Sequence, residues 1–129
     1  MRYWFALMIA FGFAFAAEQI AGRFEGEWSS SASGVSGKFH LVVNMKDDKP
    51  QAEVTFTLGD QEVKTKIREI KLGPSEIQAA YDFDLQGNLL RSTITGKLSD
   101  KILEGSYSTK TVADDTPVDQ GTWKATLVK

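Results

Sequence analysis

The sequence predicts an all-β fold, an eight-stranded antiparallel up-and-down meander that closes into a small barrel, with a β-sandwich as the alternative. Three observations lead there. From residue 22 onward apolar and polar residues alternate with a period of two, turn residues interrupt them at short intervals, and no stretch carries apolar residues at helical spacing. The barrel is preferred because the same Gly-x-Trp pattern stands near both ends, as Gly26-Glu27-Trp28 and Gly121-Thr122-Trp123. First and last strands that pair would place these patterns side by side.

The first strand, Gly22 to Ser29, alternates Phe24, Gly26 and Trp28 with Arg23, Glu25 and Glu27. The second, Lys38 to Lys46, sets Phe39, Leu41, Val43 and Met45 against Lys38, His40, Asn44 and Lys46, and Asp47-Asp48-Lys49-Pro50 turns the chain. Gln51 to Leu58 turns Val54, Phe56 and Leu58 inward. After Gly59-Asp60, a fourth strand carries Val63, Thr65 and Ile67 inward, and Ile70 and Leu72 follow an odd number of residues later. A β-bulge or bend near Arg68-Glu69 restores the register. Past Gly73-Pro74-Ser75, Ile77, Ala79, Tyr81, Phe83 and Leu85 form the most regular alternation in the chain. Gln86-Gly87-Asn88 leads to a sixth strand with Leu90, Ile94 and Leu98 inward. Leu103, Gly105 and Tyr107 mark the seventh, and Gly121 to Val128 makes the eighth with Trp123, Ala125 and Leu127 inward. Gly37-Lys38-Phe39 and Gly105-Ser106-Tyr107 repeat the glycine-aromatic theme, in which glycine permits sharp coiling and a neighbouring ring covers the bare backbone.

Residues 1–16 read as a cleavable secretory signal peptide, with Arg2, an apolar run and an Ala14-Phe15-Ala16 site. Cleavage is expected after Ala16, or else after Ala17, leaving one β-barrel domain over residues 17–129, secreted or periplasmic. The apolar run from Tyr3 to Ala17 is shorter than the roughly 20 residues that span a bilayer, so no stable membrane anchor is expected after cleavage. The chain has no cysteine, and its core must hold without disulfides. A formal charge of −2 from 15 basic and 17 acidic residues gives no electrostatic footprint for nucleic acid.

Chemistry-bearing residues are sparse. His40 occurs alone, which argues against a histidine metal site, and it reads as an exposed strand residue. The serine-rich stretch Ser29 to Gly37 lacks a G-x-S-x-G nucleophile pattern and reads as a flexible rim loop. Asp82 and Asp84 share one strand face about 7 Å apart, which suits an acid–base pair, but it is the face away from the apolar side. Asp114, Asp115 and Asp119 could gather a weakly held calcium, yet lack the glycine and terminal glutamate of an EF-hand loop and read as a solvated loop. No catalytic residue, metal site or cofactor is assigned. The interior is apolar except at Thr65, Ser92 and Thr109, a pattern that suits either a filled core or a narrow lipophilic pocket. The candidate lining is Trp28, Phe39, Phe56, Tyr81, Phe83, Tyr107 and Trp123.

Gly26-x-Trp28, Leu41-Val42-Val43, Ile67 with Ile70, Tyr81-x-Phe83, Gly96-x-Leu98, Leu103-x-Gly105 and Gly121-Thr122-Trp123 carry a resemblance to a family. Their order resembles small secreted bacterial β-barrel domains found alone or fused beside serine hydrolases, and more loosely lipocalin-like barrels. The resemblance implies a barrel without a catalytic centre of its own. The expected function is therefore non-enzymatic binding of a small hydrophobic ligand. One alternative is a protein-protein module, an inhibitor or accessory of an exported hydrolase, acting through Ser29 to Gly37 and Lys110 to Gln120. Another is a small barrel isomerase or cyclase using His40, Asp82 or Asp84.

Overall fold

A computed structural model describes residues 20–128. The expected signal peptide and its cleavage site lie outside these residues. The fold is all-β, with nine strands among the described residues: β1 (Gly22–Ser30), β2 (Ser36–Lys46), β3 (Lys49–Leu58), β4 (Gln61–Lys64), β5 (Lys66–Gly73), β6 (Glu76–Leu85), β7 (Asn88–Ser99), β8 (Ile102–Thr111) and β9 (Pro117–Val128). They form one antiparallel sheet in the order β4-β3-β2-β1-β9-β8-β7-β6-β5, rather than two sheets of a sandwich.

The strand count is nine instead of eight because the expected fourth strand divides at Thr65. Its first part, β4, pairs with β3, and its second part, β5, pairs with β6. The two ends of the sheet are thus separated by one residue of chain, which obliges the sheet to curl into a barrel-like shape. The Thr65 hydroxyl donates to the Val54 carbonyl at 2.7 Å and pins the junction to β3. Elsewhere the meander follows the expected path, and β1 pairs with β9 so that Trp28 lies directly opposite Trp123.

The bulge expected near Arg68-Glu69 falls on Arg68, where the β5–β6 register shifts between Ile67 and Glu69. The extra residue carries Arg68 Nε to 2.7 Å from Asp82 Oδ2, while Arg91 grips the same carboxylate through Nε at 2.6 Å and a second nitrogen at 3.0 Å. Asp82 is buried on the outer side of the sheet under these two arginines. The hydrogen bond from Arg91, helped by Arg68, outweighs burial and holds its carboxyl down to about 2. A depressed carboxylate stabilises the fold above its unfolded pKa, and that contribution is lost as pH falls from about 4 through 2. Asp82→Asn should therefore lower stability by about 2 kcal/mol at neutral pH, less than a fully buried pair because both arginines are partly exposed. Urea titrations of parent and variant should converge near pH 2, and a gap that persists there would refute the assignment.

The turns account for several local choices. Asp47 and Asp48 both take positive φ, 54° and 64°, as a two-residue type I′ hairpin requires. Lys49 and Pro50 already belong to β3, so this turn is shorter than the sequence suggests. Met45, expected inside, is 56% exposed. It precedes this hairpin and pairs with Pro50 beyond the end of the core, so its inward parity has nothing to pack on.

The interior has two halves. Toward the chain termini, Ile20, Phe24, Leu41, Val43, Val54 and Leu103 are almost fully buried and fill the barrel. Toward the opposite end, where the β1–β2, β3–β4, β6–β7 and β8–β9 turns gather, the aromatic side chains surround a space instead. The fold resembles a cup with a packed base.

Candidate functional site

The space in the open half is a cavity of about 220 Å³. All seven residues named from the sequence, Trp28, Phe39, Phe56, Tyr81, Phe83, Tyr107 and Trp123, line it. Six strands deliver them, each through a side chain of inward parity. The rings touch in succession around the wall: Tyr107 meets Trp28 edge-on at 6.1 Å, Trp28 meets Phe56 at 6.2 Å, and Phe56 meets Phe83 at 5.0 Å. Tyr81 follows Phe83 at 6.2 Å, and Phe39 rests on Trp123 at 5.0 Å deeper in the barrel. The first three pairs are edge-to-face and the last two tilted, and such contacts add to the burial of the rings.

Both indoles are tied to backbone. Trp28 Nε1 donates to Thr57 O at 3.0 Å, and Trp123 Nε1 lies 3.2 Å from both Thr95 O and Ser106 O. The two rings cover glycines across the sheet, Trp28 over Gly37 and Trp123 over Gly96. Neither glycine is the one in its tryptophan's own Gly-x-Trp pattern: each lies on another strand, Gly37 on β2 and Gly96 on β7.

A polar rung crosses this apolar wall. Tyr81, Ser92, Thr109 and Asp119 are successive cross-strand partners on β6, β7, β8 and β9. Ser92 Oγ and Thr109 Oγ1 are 2.5 Å apart, and Ser92 also hydrogen-bonds the Tyr81 hydroxyl. Burial pushes the Tyr81 hydroxyl well above its ordinary value and keeps it neutral. Asp119 accepts from Ser30 Oγ at 2.6 Å on one carboxylate oxygen and from Tyr107 OH at 2.9 Å on the other. Tyr107 is also pushed far up, first by burial and then by its bond to Asp119.

Compared with known proteins, the chain matches no family model, no curated protein and no solved structure. Its site is therefore read from its own geometry.

The other candidates lie apart from the cavity. Asp82 and Asp84 leave the sheet on its outer side, but they do not act as a pair: Asp82 is held by the arginines, and Asp84 Oδ1 accepts from Gly87 N at 3.0 Å to close the β6–β7 turn. His40 is half-buried on the outer side of β2, with Glu25 and Thr55 as its cross-strand neighbours. The aspartates of residues 114–119 separate. Asp114 takes hydrogen bonds from Thr111 and from Thr116, whose hydroxyl lies at 2.8 Å, and these bonds hold its carboxyl below the ordinary range. Asp115 pairs with Lys110 at 3.3 Å, and Asp119 turns into the cavity. The serine-rich stretch is more ordered than a flexible loop. Ser30 N donates to Val35 O at 2.8 Å, and Ser30 Oγ accepts from Ser33 N at 3.1 Å while it donates to Asp119.

Asp119 and Ser30 are the site residues that the loop reading hides. A signal for both was present. Asp119 shares the parity of Gly121 and Trp123, and Ser30 that of Trp28, so each strand runs farther into its apparent loop than the turn-like residues suggest.

Proposed function

We propose that the protein is an exported, non-enzymatic binder of a small lipophilic ligand, a lipocalin-like role in keeping with its sequence resemblance. The observation that carries this reading is the aromatic cavity beneath the open rim, over a base that is already filled. Its dimensions narrow the ligand. A dry apolar cavity of roughly 150 Å³ admits benzene, so about 220 Å³ suits one ring with a short substituent rather than a long acyl chain or a retinoid. Val118 and the half-buried Leu58 and Leu85 at the open end provide an apolar entrance. His40, Asp82 and Asp84 stand outside the cavity, which favours binding over turnover.

Thermal unfolding of the mature protein should shift upward, saturably, with benzene, toluene and n-propylbenzene, because a ligand bound only to the native state stabilises it by mass action. Retinol and hexadecanoate should give no saturable shift. No response to any of the three small aromatics would overturn the proposal.

A further inference from the structure

We infer that the cavity selects ligands that carry a cationic ammonium group beside a small apolar body, with Asp119 as the counter-charge and the aromatic wall as the cage. This inference rests on the ligand-binding reading above and deepens it.

Among the described residues the lining contains no lysine, arginine or histidine, and Asp119 supplies its one carboxylate. The donors near that carboxylate are committed. Ser30 gives its hydroxyl proton to Oδ1 and Tyr107 gives its own to Oδ2. A carboxylate has about four lone-pair sites, so two remain for a ligand that donates. Farther along the rung, Tyr81, Ser92 and Thr109 share two hydrogen bonds among three hydroxyls, leaving a single neutral O–H and no positive charge. A ligand carboxylate or phosphate would enter beside Asp119 with no cation to meet it. An ammonium group would meet the carboxylate at one end and the faces of aromatic rings at the other. Ring faces attract cations through their quadrupole, most strongly for tryptophan and where water is excluded.

The anchoring of Asp119 supports the same conclusion. It is fixed from two elements, β1 through Ser30 and β8 through Tyr107, while standing on a third, β9. The carboxylate is thus held in place before a ligand arrives, which reduces the ordering cost of binding.

The test compares three one-ring ligands of similar size on the mature protein by titration calorimetry at pH 7: 2-phenylethylamine, n-propylbenzene and phenylacetate. The amine should bind at least tenfold more tightly than the carboxylate, with the hydrocarbon between them. Asp119→Asn should bring amine and carboxylate within about threefold, and circular dichroism would establish that the variant is folded. Should the variant not fold, the ranking of the three ligands on the parent decides alone. If n-propylbenzene binds but the carboxylate equals or exceeds the amine, the charge selection is overturned and the lipophilic site stands. If none of the three binds, both readings fall.

Discussion

Replacing Trp123 by alanine is expected to cost about 3–5 kcal/mol, the range for deleting a large ring from a packed core. Trp123 is 2% exposed, rests on Phe39, lies across Gly96 and satisfies two strand carbonyls through one indole N–H. Its removal would leave a void where the packed half of the barrel meets the open half. It would also bare the glycine-lined stretch of β7 and β8. Trp28→Ala should cost less, about 2 kcal/mol, because that ring is 8% exposed and its indole N–H meets one strand carbonyl instead of two. The two tryptophans are direct cross-strand partners of the same chemical type, so their comparison isolates packing from composition. Urea unfolding of the two variants measures the difference, and equal losses would contradict the division of the interior into a filled and an open half.

Gly105→Ala should be nearly as damaging, at about 3 kcal/mol, although it adds only one methyl group. A Cβ at Gly105 would stand 1.8 Å from Thr95 O and 2.6 Å from the Gly96 Cα. Both atoms are backbone, so no rotamer change relieves the clash, and β7 would have to move away from β8. Gly73→Ala is the matched control. Its Cβ would meet nothing closer than 3.8 Å, and the residue keeps an ordinary φ. That change should be neutral or stabilise by about 0.5 kcal/mol through the unfolded chain. Urea midpoints for both variants give the comparison, and a Gly105→Ala protein within 1 kcal/mol of the parent would refute the close approach of the two strands.

Much of this architecture was legible because period-two alternation is a direct consequence of strand geometry. Alternation placed Phe24, Leu41, Val54, Ile77 and Leu103 inside, and a single break in it located the bulge at Arg68. The transfer of one strand from β3 to β6 at Thr65 was not legible, since both halves keep the same polarity pattern and only their partners differ. Met45 shows the opposite error, a correct parity beyond the end of the core. All seven aromatic residues of the cavity wall could be named from the sequence, but whether they enclose space or fill it depends on how several side chains meet across the barrel. Asp119 was obscured by its neighbours. Asp114, Asp115 and Pro117 give the segment a loop-like composition that masks the inward parity Asp119 shares with Gly121 and Trp123.

Because β4 and β5 follow one another in the chain, nearly every ladder of the sheet joins strands adjacent in sequence. Among the described residues the ladder between distant strands is β1 with β9, where Arg23 faces Val128 and Ser30 faces Gly121. Loop-closure entropy grows with the length of chain enclosed, so the topological cost of folding is concentrated in that one ladder. The remaining hairpins can form locally and early, while the joining of first and last strands must wait for most of the chain. The kinetic bottleneck of folding and the Trp28–Trp123 pair therefore share one location, and the residues that border the cavity also complete the ring that creates it.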